Sequence, residues 1–151
     1  MELISSPHLQ IEKPLAVMKL ELEGMMADIS NYDSLLSVLR LYKQREMLRI
    51  GCRDLLGYGA VEEITSELSS LASAALDIAY SFCLNLLKKD YGTPYYRDEA
   101  GELKESTIVV LGMGKLGGNE LNFSSDIDLI YLYQSDDGET QGGVKVYTLY
   151  E

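Results

Sequence analysis

The stretch from Val109 to Tyr133, VVLGMGKLGGNELNFSSDIDLIYLY, narrows the choice of folds more than any other part of the chain. A β-branched strand core, Thr107–Leu111, runs into four closely spaced glycines. A short polar link follows, and then a second strand from Ile127 to Tyr133. The run G-M-G-K-L-G satisfies G-x-G-x-x-G after a strand, but a Rossmann unit needs a helix of some length before its next strand. Asp126 follows Gly118 by only eight residues, which is too few. A Walker A loop is excluded as well, because the G-K-[ST] ending is absent.

Asp126 and Asp128 stand two apart at the head of the second predicted strand. Side chains at i and i+2 of a strand share a face and lie roughly 6.5–7 Å apart at Cα. Both carboxylates can therefore converge on one cation or a pair of cations, while Ile127 and Leu129 turn the other way into the core. Carboxylates this close repel unless a proton or cation intervenes. Mg²⁺ suits them, being hard, oxygen-seeking and content with one or two protein carboxylates plus phosphate and water. Two such ions about 3.5–4 Å apart bind the attacking and leaving oxygens of an in-line displacement. Gly112, Gly114, Gly117 and Gly118 allow backbone N–H groups close to phosphate oxygens. Ser124 and Ser125 add hydroxyls, and Lys115 a point charge. A plainer alternative stays open: D-x-D is a common pattern, and glycines before a strand often only make a turn.

Upstream, the spacing predicts helices. Leu15, Met18, Leu22, Met25, Met26 and Ile29 recur at threes and fours over Leu15–Ile29. Asn31 and Asp33 are start signals for a longer helix carrying Leu35, Leu36, Leu39, Tyr42, Met47, Leu48 and Ile50 on or near one face. Gly57 with Gly59 ends it. A second long helix, about Val61 to Asp90, shows the stripe Ile64, Leu68, Leu71, Ala75, Ile78, Phe82 and Leu86. Lys88 and Lys89 complement its last turn, and Gly92 then Pro94 close it. Tyr91, Tyr95 and Tyr96 beside that stop read as packing residues. Glu99–Ser106 reads as a polar connection, Gln134–Gly143 as polar and turn-rich, and Val144–Glu151 as the beginning of another strand or helix. The expected organisation is α+β: a helical region over residues 1–98, then the opening of an α/β domain over 99–151.

Composition serves mainly to exclude. The net charge of −11 is opposite to that of a surface following DNA or RNA phosphates, so no nucleic-acid partner is expected. A single nucleotide at a metal-neutralised site, or one carried on a protein, remains compatible. No apolar stretch approaches the roughly 20 residues that span a bilayer, and the N-terminus lacks a secretory layout. No membrane partner is expected, and the cytoplasm is the expected compartment. Cys52 and Cys83 are read as buried reduced thiols. With His8 the only histidine, neither a zinc site nor a His-dependent triad can be assembled.

GMGKLGGNELNFSSDIDLIYLY resembles the glutamine synthetase adenylyltransferase/adenylyl-removing enzyme family. LRLYKQREMLRIGCRDLLG, from Leu39 to Gly57, and EEITSELSSLASAALDIA in the following helix resemble the same family. The likeness covers roughly Leu35–Tyr133. It implies the nucleotidyltransferase fold shared with DNA polymerase β, so that residues 99–151 would be the opening strands of such a domain, truncated. Family members carry two related catalytic halves, and ELNFSSDIDLI is similar to the deadenylylating one. The implied reaction is phosphorolysis, in which phosphate attacks the AMP phosphorus on a modified tyrosine of glutamine synthetase, giving ADP and the unmodified enzyme. The alternatives are the reverse half-reaction, ATP-dependent adenylylation of that tyrosine, and a non-catalytic helical regulatory or interaction module.

By this resemblance Asp126 and Asp128 are catalytic metal ligands for Mg²⁺, and Gly117, Gly118 and Ser125 lie against phosphate. The gap between the glycine–serine pair and the first acid is shorter than usual in the superfamily, which leaves Gly114 and Gly118 both eligible for that glycine's place. The fold's third carboxylate is expected beyond Glu151, so the chain alone is expected to be inactive or nearly so. Implied partners are glutamine synthetase, nucleotide (ADP or ATP), phosphate and, for the full-length enzyme, the signal protein PII. The basic stretch Arg40, Lys43, Arg45, Arg49 and Arg53 faces the AMP group or the protein partner, or else is a solvated face with internal salt bridges. Glu46 among these cations supports the second.

Overall fold

A computed structural model describes residues 9–144 of the chain. His8 and all of the predicted Val144–Glu151 element except Val144 lie outside the described residues. Helix α1 (Leu15–Met26) begins after Pro14, whose carbonyl accepts from the Val17 and Met18 amides. It stops three residues short of the predicted Ile29, in a turn over Ala27 and Asp28. Helix α2 (Tyr32–Leu55) is capped by Asn31, whose side-chain oxygen accepts from the Ser34 amide at 2.9 Å. At its far end the Tyr58 amide donates to Arg53 and the Gly57 amide to Asp54, the paired bonds of a Schellman motif. Gly57 takes the left-handed conformation this requires, with φ of +67°. Helix α3 spans Val61–Tyr91.

Packing divides the chain into two compact units. One joins the residues up to Ala79 to the segment Met113–Asp128, and the other joins Tyr80–Gly112 to the residues from Leu129 onward. Helix α3 contributes residues to both units, and the glycine segment packs with the helices of the first.

The core of the first unit takes Met18 and Leu22 from α1, Leu35, Tyr42 and Ile50 from α2, and Ile64, Leu68, Leu71, Ala74 and Ile78 from α3. Leu48, expected on the inner face of α2, is exposed, and Glu46, Arg49 and Arg53 are buried instead. These polar residues continue the stripe begun by Leu35 and Tyr42 and meet Glu67 of α3. Arg49 pairs with Glu67 and, at 2.6 Å, with Glu46. Lys13 reaches Glu46 at 2.8 Å and Glu21 at 2.9 Å, and its amide donates to Glu67. Arg53 lies 3.4 Å from both Glu67 and Glu63. The expectation of internal salt bridges along the basic stretch is met, but its solvated face ends at Arg45. Arg40, Lys43 and Arg45 are exposed, while Arg49 and Arg53 are enclosed because α3 supplies a buried carboxylate opposite them.

Against the expectation that nothing approaches a bilayer-spanning stretch, α3 is long and apolar enough to cross a membrane by length and composition, with a mean hydropathy of 1.4 over its best window. Its alanines, leucines and isoleucines raise that average, and within the first unit Glu67 and Ser69 are among its buried residues. The cysteines are free and half-buried rather than fully buried.

The second unit contains more strand than the sequence pattern suggests. Strand β1 (Gly92–Arg97) pairs antiparallel with β2 (Leu103–Glu105) on one side and β5 (Glu139–Gly142) on the other. The helical region expected to residue 98 thus ends at Tyr91, and Tyr95 and Tyr96 sit inside a strand. Gly92 makes this tight junction possible: its φ is +86°, and a Cβ there would collide with the Gln141 carbonyl. β3 (Ile108–Gly112) and β4 (Leu129–Tyr133) form a separate antiparallel pair in register from Ile108↔Tyr133 to Gly112↔Leu129. Gln134 closes its open end by accepting from the Thr107 amide at 2.8 Å. The strand expected at Thr107–Leu111 is thus present as β3, and Val109, Leu111, Ile130 and Leu132 of this ladder are all exposed. The architecture is α+β with small antiparallel sheets.

Candidate active site on the glycine–aspartate loop

Residues Met113–Asp128 connect β3 to β4, and their course is fixed by contacts to α3. A single helical turn, α4 (Gly114–Gly117), opens the segment, with Gly114 at φ of +54°. The Gly117 amide donates to Met113 and the Gly118 amide to Gly114. Asn119 then adopts the left-handed conformation that asparagine tolerates better than most residues, with φ of +60°. Its side-chain amide donates to Ser66 Oγ at 3.1 Å, and two residues later the Leu121 amide donates to Ser69 Oγ at 3.0 Å. Leu116 and Leu121 are buried, which pins both ends of the polar part of the segment to the helical unit.

A second turn, Asn122–Ser125, delivers the acids. Asn122 Oδ1 accepts from the Ser124 amide at 3.1 Å and from the Ser125 hydroxyl at 2.8 Å, while the Asn122 amide donates back to Ser125 Oγ at 3.1 Å. Asp126, Ile127 and Asp128 follow. They precede β4 rather than standing in it, because the ladder's last pair is Gly112↔Leu129 and the opposite chain turns away into α4. One further backbone bond, from the Met113 amide to the Asp128 carbonyl at 2.9 Å, ties the aspartate segment to the start of the glycine turn.

Both aspartates are exposed, and among the described residues neither carboxylate has a hydrogen bond or ion-pair partner. Ile127 is not driven into the core as expected: it remains 43% exposed and, with Ser125, lines a cleft in the helical unit. That cleft has a volume of about 350 Å³ and is walled by α2, α3 and residues 121–127. Asp126 and Asp128 are not among its lining. The structure therefore places both acids on the exposed segment after the Asn122–Ser125 turn, with the Asp128 carbonyl bonded to the Met113 amide, and assigns Ser125 to the cleft wall.

Of the phosphate candidates, Gly117 and Gly118 are exposed, with their amides engaged within the turn. At these positions glycine offers close approach rather than a free donor. The Ser125 hydroxyl is occupied by Asn122. Lys115 is exposed. Sequence reasoning did not single out Asn119, Asn122, Ser66 or Ser69, which hold the loop in place. The two asparagines in a glycine-rich link were the available signal, since that side chain caps its own turn.

Two free carboxylates are a suitable partial donor set for Mg²⁺, which completes its shell with phosphate and water. Among the described residues no group of three His, Cys, Asp or Glu side chains comes together as a metal site.

Residues 1–148 match the family model for glutamate-ammonia ligase adenylyltransferase. The chain is 43% identical over 123 residues to the bifunctional glutamine synthetase adenylyltransferase/adenylyl-removing enzyme of Shewanella woodyi, covering 82% of this chain and 12% of that protein. The protein of the same name from Nitrosococcus oceani is 47% identical over 122 residues, covering 80% of this chain and 12% of its own length. That of Thioalkalivibrio sulfidiphilus is 47% identical over 109 residues, covering 72% and 11%. The chain thus spans about an eighth of the length of these relatives. With a family match over nearly its whole length, the chain belongs to the glutamate-ammonia ligase adenylyltransferase family.

Proposed function

We propose that this chain supplies the opening part of a polymerase-β-like nucleotidyltransferase domain that removes AMP from adenylylated glutamine synthetase. The observation that carries the reading is the pair Asp126 and Asp128, exposed and unpartnered among the described residues, with the Asp128 carbonyl bonded to the Met113 amide at the head of the glycine turn. In the reaction a phosphate oxygen forms a bond to the AMP phosphorus as the bond from that phosphorus to the tyrosine oxygen breaks. The tyrosine oxygen takes up a proton, and ADP leaves. Asp126 and Asp128 would hold Mg²⁺, which when bound supplies neutralisation of the phosphate charge. Gly117 and Gly118 leave room for phosphate oxygens, and Ser125, adjoining the first acid, fixes the approach of the chain to it. Alignment and charge neutralisation, rather than a protein nucleophile, provide the acceleration.

Asp126 and Asp128 have no third carboxylate beside them among the described residues, so the 151-residue chain by itself is expected to be nearly inactive. The reading carries with it a cytoplasmic setting, glutamine synthetase as protein substrate and PII as a regulator of the full-length enzyme. The test uses the full-length gene product with adenylylated glutamine synthetase, phosphate and Mg²⁺. ADP should accumulate as AMP leaves the tyrosine, and its absence would refute the assignment. Because the relatives are named as bifunctional, a parallel reaction with ATP and unmodified glutamine synthetase separates the two directions. AMP on tyrosine in that reaction alone would assign this half to adenylylation.

A further inference from the structure

The apolar cleft of the helical unit is not used by the reaction proposed above. Its walls are apolar, formed mainly by Leu39 and Met47 of α2, Leu71 and Ala75 of α3, and Phe123 and Ile127 of the loop. Its volume of about 350 Å³ lies at the small end of the range for small-molecule sites. Along α2 the lining runs from Leu36 to Met47 and along α3 from Leu68 to Ala79. At the helical rise this is about 16 Å in each case, so the cleft is elongated.

The polar groups at this cleft restrict what it can take. The Tyr42 hydroxyl donates to Glu21 at 2.8 Å, and the Asn122 side-chain oxygen and Ser125 hydroxyl are bonded to each other. A nucleobase, which needs paired donors and acceptors along its edge, finds few groups here to match it. The charged groups left are Arg40 and Lys43. They lie one turn apart on α2, are exposed, and have no carboxylate partner among the described residues. Two unneutralised cations in a chain of net charge −11 are a local reversal of sign.

We propose that this cleft binds an amphipathic anion, an aliphatic chain lying between α2 and α3 with its acidic head against Arg40 and Lys43. Burial of the chain provides affinity, and the two cations fix its direction and select against uncharged analogues. The site is separate from the aspartate pair, although Ser125 and Ile127 in its wall flank Asp126.

The test is calorimetric titration of the full-length gene product with decanoate below its micelle concentration, with decanol and AMP as comparison probes. Decanoate should bind saturably and decanol about tenfold more weakly, the scale of two partly exposed ion pairs. Arg40→Glu/Lys43→Glu, a surface change that leaves the core intact, should weaken decanoate by at least that factor and leave decanol unchanged. Ala75→Phe, which fills the cleft, should weaken both. Circular dichroism checks that each variant is folded, and were Ala75→Phe to unfold, Ala75→Leu serves the same purpose. The proposal is overturned by non-saturable binding of decanoate, by equal decanoate affinity in the charge-reversed variant, or by AMP competing for the same site.

Discussion

Glu67 is completely buried on α3 and meets the Arg49 and Arg53 side chains and the Lys13 backbone amide at one point. Removing a buried charge's partner is costlier than never having built the pair, because the remaining ions stay desolvated. Glu67→Gln is therefore expected to lower stability by about 3–5 kcal/mol, measured by urea denaturation. Glu46 makes a second prediction. Burial pushes its carboxyl up, but the hydrogen bonds and charges of Lys13 and Arg49 outweigh that and hold it below the ordinary value of 4.5. A carboxyl depressed in the folded state contributes stability in full above its unfolded value and loses it as pH falls through the folded one. The urea midpoint should accordingly drop as pH is lowered from about 4.5, and Glu46→Gln should remove part of that slope. None of this burial was legible in the sequence. An apolar-periodicity reading follows Leu35, Leu39 and Tyr42 and then prefers Leu48, whereas the buried stripe passes through Glu46, Arg49 and Arg53. Each of those charges becomes tolerable inside only because another helix, distant in sequence, brings the opposite one.

Local signals located the helices well. The Asn31 cap and the Gly57 stop act through bonds within a few residues, so spacing alone predicts them. Strands β1, β2 and β5 escaped for the converse reason. Gly92 and Pro94 look like a helix stop, Leu103–Glu105 is short and exposed, and Glu139–Gly142 is polar and joins β1 only by pairing across nearly fifty residues. The glycine–aspartate loop falls between these cases. Its turn chemistry was readable, but its attachment to α3 through Ser66 and Ser69 was not, since serines within a helix give no sign of what they hold. Ser69→Ala leaves the buried Leu121 amide without its acceptor and is expected to cost about 1–3 kcal/mol in urea unfolding. Ser66→Ala, whose bond to Asn119 is exposed, should cost less in the same measurement.

At the scale of the whole chain, the candidate acids precede the strand in which the sequence pattern set them. The sequence shows two apolar runs and a D-x-D but not where the ladder ends, which depends on the opposite chain leaving it at Met113. Gly117, Gly118 and Ser125 were chosen for their chemistry, and the structure adds that each already has a structural hydrogen bond. The account therefore rests most heavily on Asp126 and Asp128. The decisive measurement is the rate of ADP release from adenylylated glutamine synthetase, with phosphate and saturating Mg²⁺, by the full-length gene product and by its Asp126→Asn/Asp128→Asn variant. Both side chains are exposed and unpartnered, so the variant should keep the circular dichroism spectrum and urea midpoint of the parent. The rate is expected to fall by about a thousandfold, as for loss of a principal charge-stabilising group. A folded variant that releases ADP at the parent's rate would contradict the assignment of these two carboxylates as the metal-holding pair.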